Sequence, residues 1–303
     1  MRLLDNPGAL QALAEQSRET SDELRLLTGT LLSELLAAKR SYATLTELEF
    51  KVFSQFGDDG IIQYLTRNLE LRHRTFVEFG VEDYRESTTR FLLQKDNWSG
   101  FVMDGSRECM ERLRSAPFFW KHDLRAEAVF VTRESIRQLL RDNTRDWEGV
   151  DLLHIDVDGN DYWIWQEIDL APAIVIVEYN SVFGAERAIT IPYSADFQRA
   201  KAHFSHLYWG CSLKALHSLA LSKGYAFIGC NSAGNNAYFV HRDAMNGSVA
   251  EVPLERGFVQ SKYRESRDPA GRLTFLRGAQ RVEAIRGLPV HDLEKGKVVP
   301  FQP

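Results

Sequence analysis

Hydrophobic positions change their spacing near Phe53, and the change divides the chain. Before it, Leu10, Leu13, Leu24, Leu27 and Leu31 fall at the a and d spacings of a heptad, with Ser17 and Thr20 interrupting the series. This pattern predicts helix within residues 1–45, weakened at Gly29 by roughly 1 kcal/mol relative to alanine. Two readings stay open. The segment is either a surface helix or helix pair packed on the main domain, or a helix through which two copies of the chain associate.

From Phe53 onward, short apolar runs alternate with amphipathic stretches. Residues 54–60 read as a loop, and Ile61, Ile62 and Leu65 open a helix that Asp58 or Asp59 caps. Strands are expected at 75–79, 100–103, 128–132, 151–155 and 174–177, with helices near 86–94, 107–114 and 134–141 between them. Continuous Val, Ile, Leu and Phe runs separated by helices indicate a parallel sheet covered on both faces, with right-handed crossovers. After Tyr179 a long aromatic loop leads to a helix near 213–222, and 225–229 and 237–240 pair as a hairpin across 231–236. The tail from Gly257 shows no period, and Asp268-Pro269-Ala270-Gly271 marks a turn. The expected division is a helical segment at 1–45, a main domain at 46–256 and a tail at 257–303 packed on it. The expected fold is α/β: a Rossmann-like sheet of parallel strands with a terminal antiparallel hairpin, preceded by N-terminal helices. That is the outline of a class I methyltransferase.

Composition narrows the function without choosing it. The chain has 303 residues, 44% hydrophobic and 26% charged, which suits a globular core. A net charge of -5 argues against a nucleic-acid partner. Cys109, Cys211 and Cys230 lie far apart, so neither a zinc site nor a disulfide framework is indicated, and a reducing compartment fits. Asp5, Asn6 and Pro7 stand where a signal peptide would need an apolar run, and the apolar stretch at 173–177 is too short to span a bilayer. The expectation is a soluble, cytoplasmic protein with no membrane span.

In an open α/β sheet ligands bind beyond the carboxyl ends of the strands, and here those ends carry Glu78, Asp104, Asp156 and Glu178. Any one of them alone would equally suit a helix cap. Glu78-Phe79-Gly80-Val81-Glu82 has an acid and a single glycine but no GxGxxG, so it offers no pyrophosphate cradle. Carboxylates suit a ligand with cationic and hydroxyl groups. S-adenosylmethionine has an ammonium, a sulfonium and ribose hydroxyls, and Asp104 stands where an acid would grip the ribose. Asp156-Val157-Asp158-Gly159-Asn160-Asp161 places three carboxylates that repel unless a cation, protons or water separates them. With Glu178, they would suit magnesium, manganese or calcium. The plainer reading is a turn in which Asp161 caps a helix at 162–168. His154, two residues inside a strand, reads as a core histidine rather than a base. Between 183 and 211 lie Phe183, Tyr193, Phe197, Phe204, Tyr208 and Trp209, with His203 and His206. These aromatics either stack on a sugar ring or planar metabolite or roof the core.

Four segments together resemble the FkbM-like methyltransferases, especially a poorly characterised bacterial branch. They are Phe53-Ser54-Gln55-Phe56-Gly57-Asp58-Asp59-Gly60-Ile61, Phe76-Val77-Glu78-Phe79-Gly80, the run from His154 to Trp163, and Val177-Glu178-Tyr179-Asn180. The likeness extends from about Phe53 to Pro300, taking in 229–237 and 263–268, and leaves 1–45 outside. It implies S-adenosylmethionine and O-methylation of a sugar, glycan or specialised metabolite. On that pattern Glu78, Gly80 and Glu82 line the methionine end and Asp104 holds the ribose, with Gln55, Ser106 and Asp156 completing the cofactor set. Glu82 and Tyr84 depart from the family's glycine-rich first-strand motif, where small residues are common. Asp156 or Asp158 would serve as base, or hold a Mg2+ or Mn2+ ion with Glu178, and Glu178 and Asn180 would complete the catalytic site. Two rival readings remain. Asp156-Val157-Asp158 spells the DxD of a metal-dependent glycosyltransferase, and a degenerate, non-catalytic module could assemble through 1–45. The expected partners are a small-molecule or glycan substrate, no nucleic acid, and further copies of the chain through 1–45.

Overall fold

The computed structural model describes residues 7–39 and 41–302, so Asp5 and Asn6 lie outside the described residues. Of the surface helix or helix pair expected at the N-terminus, the structure has one long helix, α1, over Pro7–Ala37. The chain continues through α2 (Asp58–Asn68), β1 (Thr75–Phe79), α3 (Arg90–Asp96), β2 (Ser99–Asp104), α4 (Arg107–Arg114), β3 (Leu124–Ala128), α5 (Ile136–Thr144), β4 (Leu152–Ile155), α6 (Asp161–Glu167) and β5 (Ile174–Glu178). Then come β6 (Ile189–Thr190), α7 (Arg199–Ala202), α8 (Leu213–Ser222), β7 (Tyr225–Cys230), β8 (Asn236–His241), α9 (Leu254–Gly257), α10 (Ala279–Ala284), β9 (Pro289–Asp292) and β10 (Lys297–Pro300).

Seven strands form the main sheet in the order β3-β2-β1-β4-β5-β8-β7. The first five are mutually parallel, β8 runs antiparallel to β5, and β7 runs antiparallel to β8. Counting only these strands along the chain, the order is 3-2-1-4-5-7-6 with the seventh reversed. This is the class I methyltransferase sheet. β1, β4 and β5 are buried along their whole length, as a sheet covered on both faces requires. One core layer holds Phe79, Phe101, Ile155, Trp165 and Phe239, the other Ile61, Phe76, Leu92, Ile176 and Tyr238.

Three expected elements are displaced, each for a local reason. The third strand is Leu124–Ala128 rather than 128–132: it is an edge strand in which Leu124 and Ala126 face inward while Arg125 is only half-buried. The apolar Val129-Phe130-Val131 that suggested a strand follows it and lines the cleft described below. The helix after β1 starts at Arg90 rather than near 86, because Ser87, Thr88 and Thr89 are bonded to Glu78 instead. Neither Asp58 nor Asp59 caps α2, whose N-cap is Gly57. Asp58 accepts hydrogen bonds from Asn231, Asn236 and Tyr238, while Asp59 accepts the N–H groups of Val52, Phe53 and Ser54.

The tail is structured. β9 and β10 form an antiparallel pair joined to β6, with a core of Phe183, Ile189, Tyr208, Val290 and Phe301 beneath them. Among the described residues no helix is long and apolar enough to cross a membrane.

α1 packs on this body by its C-terminal half. Asp22 pairs at 2.5 Å with Arg90, whose buried guanidinium lies 4.0 Å from the Phe53 ring centre. Ser33 donates to Gln63 and Arg67 reaches Glu34. Leu45, at the expected domain boundary, is buried beside Leu48. Gly29 carries the closest approach: an added Cβ would lie 2.4 Å from Val52 Cγ2 and 2.9 Å from Phe91 Cζ. Elsewhere in a helix, alanine would be favoured over glycine by about 1 kcal/mol. Here Gly29→Ala is expected to destabilise the protein by about 1–3 kcal/mol through overpacking. Urea unfolding measures it, and an unchanged or raised midpoint would show that α1 does not dock this way.

Candidate functional site

A cleft of about 1100 Å³ opens beyond the carboxyl ends of β1, β2, β4 and β5. Its foundation is Glu78, the fourth residue of β1, which is 2% exposed. Its carboxylate accepts from Ser87 Oγ at 2.7 Å, Thr88 N at 2.8 Å, Thr89 Oγ1 at 2.5 Å and His154 Nδ1 at 3.0 Å. Burial pushes its pKa up, but His154 and the two hydroxyls outweigh burial and hold it below the usual carboxylate range. His154 is raised in turn: burial opposes its charge and Glu78 prevails. His154 is thus a core histidine on its Nδ1 side, while its buried Nε2 finds no partner in the protein.

Gly80 has φ +71, and a Cβ there would fall 1.7 Å from the carbonyl oxygen of Asp156. This close approach between the loops after β1 and β4 requires glycine. Asp104 ties the next pair of loops, accepting Glu82 N at 2.8 Å on one oxygen and Ser106 N at 2.7 Å on the other. Ser106 caps α4 by accepting Cys109 N. Gln55 and Glu82 are exposed, Ser106 is half-exposed, and all three border the cleft. Both Glu82 (φ +46) and Tyr84 (φ +62) take left-handed conformations that glycine adopts more easily, the backbone counterpart of the departure read in the sequence.

At the end of β4, Asp161 accepts Val157 N at 2.9 Å and Gly159 N at 3.0 Å, so it forms the turn while Asn160 is the N-cap of α6. The turn presents Asp156 and Asp158, and Glu178 meets them from β5. Oxygens of these three carboxylates lie within 4.8 Å of one another. Burial, reinforced by Asp158, raises Asp156 to about 6. Burial and the neighbouring acids raise Glu178 well above its ordinary value. Glu178 Oε2 is buried with no partner in the protein. Asn180 does not join them: its amide donates to the carbonyls of Leu207 and Trp209 and its oxygen accepts Val182 N.

Several cleft residues have no strong sequence signal. Arg199 donates to Asp158 at 2.9 Å, approaches Glu265 at 3.5 Å and lies 4.8 Å from the Trp209 ring centre. Tyr263 stacks on Phe56 with ring centres 5.9 Å apart. Tail residues therefore form one wall, although only their place in the resemblance marked them. Val129, Phe130 and Val131 also line the cleft, with Phe130 48% exposed. Of the aromatics between 183 and 211, Phe197 reaches the cleft, as does His206. Phe183 and Tyr208 roof the third core, Trp209 is buried beneath Arg199, and Tyr193 bonds to Glu134.

No family model matches the sequence, and no curated relative matches it. Solved structures overlap in part. The N-terminal domain of EvdMO1 with SAH bound is 9% identical, with 59% of this chain and 76% of that chain covered at a TM-score of 0.38. The O-methyltransferase from Bacillus cereus in complex with SAH is 11% identical, with 71% and 88% covered at a TM-score of 0.38. An S-adenosylmethionine-dependent methyltransferase from Clostridium acetobutylicum is 9% identical, with 61% and 90% covered at 0.37. At this level of overlap the fold stands on its own strand order.

Proposed function

We propose that this chain is an S-adenosylmethionine-dependent methyltransferase that methylates a hydroxyl of a sugar, glycan or specialised metabolite, as its FkbM-like motifs suggest. The observation that carries the reading is the cleft itself. It is lined by acids at the ends of adjacent parallel strands in a 3-2-1-4-5-7-6 sheet, with no glycine cradle for a phosphate.

S-adenosylmethionine, when bound, supplies a methyl group that is already electrophilic. The protein has to orient the reactants and remove a proton. Asp104 is held by two backbone N–H groups and keeps lone pairs free for ribose hydroxyls. Gln55, Glu82 and Ser106 offer polar groups around it, Gly80 keeps the loops close, and Val129–Val131 gives an apolar face. Glu78 acts by fixing the loop at 87–89. Asp156 is the best placed base, because a pKa of about 6 leaves it ionised at neutral pH yet more basic than a free carboxylate. Glu178 retains a proton at higher pH and stands beside it. The cluster also fits a hard divalent ion such as Mg2+ or Mn2+, since it offers only carboxylate oxygens, converging within 4.8 Å, one of them buried and unpartnered. Asp156, Asp158 and Glu178 would hold such an ion, which lowers the pKa of a bound hydroxyl.

S-adenosylhomocysteine is expected to raise the melting temperature. Asp104→Ala should weaken its binding by about 1–3 kcal/mol in calorimetry, and parental affinity in that variant would remove Asp104 from the site.

Methyl transfer should increase as pH rises through about 6, because protonated Asp156 cannot accept the hydroxyl proton. Asp156→Asn should lose this step and cost about 10²–10⁴-fold in rate. A variant that keeps the parental profile would move the base elsewhere, with His206 the next group to test.

If Asp156, Asp158 and Glu178 hold an ion instead of supplying a free base, exhaustive chelation should abolish transfer and Mg2+ or Mn2+ should restore it, while Asp158→Asn loses activity but keeps its cofactor affinity. Turnover that survives chelation removes the ion and leaves the base in place.

A further inference from the structure

The two faces of α1 differ in what they meet. Taking Leu10, Leu24 and Leu31 as a positions, the f positions Asp22, Gly29 and Leu36 face the body of the protein: Asp22 pairs with Arg90, Gly29 abuts Val52 and Phe91, and Leu36 packs with the core. The a and d leucines therefore point directly away from it. Leu24, Leu27 and Leu31 are 60%, 64% and 68% exposed, and Leu10 and Leu13 are 40% and 60% exposed. Leu35, beside them at an e position, is 73% exposed.

Residues 11–21 are exposed on every side, so α1 stands clear of the domain for about three turns before it docks. A helical stretch of that length is marginal alone in water. Six exposed leucines give roughly 600 Å² of apolar surface per chain, or about 1200 Å² for a pair, the lower edge of a stable protein interface. The flanking e and g positions are Ala9, Ala14, Gln16, Ser21, Glu23, Thr28, Thr30 and Leu35, so only Glu23 carries charge and nothing there repels a close neighbour strongly.

We propose that α1 pairs with α1 of a second copy as a parallel two-stranded coil. A parallel, in-register pair sets every leucine of the seam against its counterpart and puts Ser17 and Thr20 in two adjacent polar layers, which fix the register. An antiparallel pair that keeps polar residues together, matching Leu10 with Leu27 and Leu13 with Leu24, leaves Leu31 without a mate. The next d residue, Glu34, is turned to Arg67 of its own chain at 2.9 Å, so the seam closes at Leu31 and Leu35. The body of each chain lies on the f side of its helix, the outer face of the coil.

The test is the solution mass of the full chain by light scattering. The expected result is a dimer at micromolar concentration, converted to a monomer by Leu24→Glu combined with Leu31→Glu, with the thermal unfolding of the domain unchanged because both positions are exposed. Under oxidation Thr20→Cys should cross-link to its own copy, as an in-register parallel pair requires. A monomeric parent overturns the proposal and leaves the leucines to a different partner. A double-Glu variant that remains dimeric overturns it too, by placing the interface elsewhere. A dimer that Thr20→Cys does not cross-link overturns the parallel register.

Discussion

Burying the Glu78 carboxylate between the two central strands obliges its surroundings to supply donors. An ionised carboxylate without partners would cost several kcal/mol in such a place. The partners come from two directions: His154 across the sheet, one strand away, and the hydroxyls and amides of 87–89 returning from the loop. That return pulls the chain after β1 back over the strand ends and delays α3 to Arg90. It also presses Gly80 against the Asp156 carbonyl, so the loop that borders one half of the cleft and the turn that carries the other are fixed relative to each other. Replacing Glu78 would loosen both halves at once, although Glu78 itself has no oxygen left over for a ligand.

Much of the fold was legible because its strongest signals are period and composition. Continuous apolar strands at 75–79, 152–155 and 174–178 leave no other arrangement than a buried parallel sheet, and the two strands around 231–235 announce their hairpin. The errors fell where apolar character has a second use. Val129-Phe130-Val131 looks like a strand because a cleft wall needs the same residues a strand does. α1 shows the opposite effect: its heptad is interrupted at Ser17 and Thr20, and the glycine that weakens an isolated helix is the point where it docks.

The site was legible as a set of strand-end carboxylates and not as a set of roles. Asn180 follows Glu178 by two residues, and a strand's alternation would seem to return it to the same side. The chain turns into a 3-10 helix at Ser181, and the amide caps that turn instead. Arg199 and Glu265 escaped for a different reason. Arg199 opens the four-residue α7 and Glu265 lies in an irregular segment, so neither shows a period, and only the tertiary fold brings the tail against α7. Their ion pair matters to the electrostatics, since Arg199 is the fixed cation nearest the acid cluster and engages the outermost acid, Asp158.

The acids of the sheet differ in how many donors reach them and where they meet. Glu78 and Asp151 have donors on both oxygens, and these bonds hold loops to strands. A raised pKa alone does not single out chemistry: Asp59 is pushed to about 6 by burial while accepting three backbone N–H groups, and it serves only to organise the turn before α2. Asp156 and Glu178 differ in that no backbone donor reaches them, they face each other across adjacent strands, and they open into the cleft. Folding has left them without backbone N–H donors where a loop could have supplied them, as it does for Glu78 two register positions further back in the sheet. A pair of carboxylates kept short of donors holds protons more tightly than free acids do, and it gains most from whatever enters beside it carrying positive charge or a proton to give.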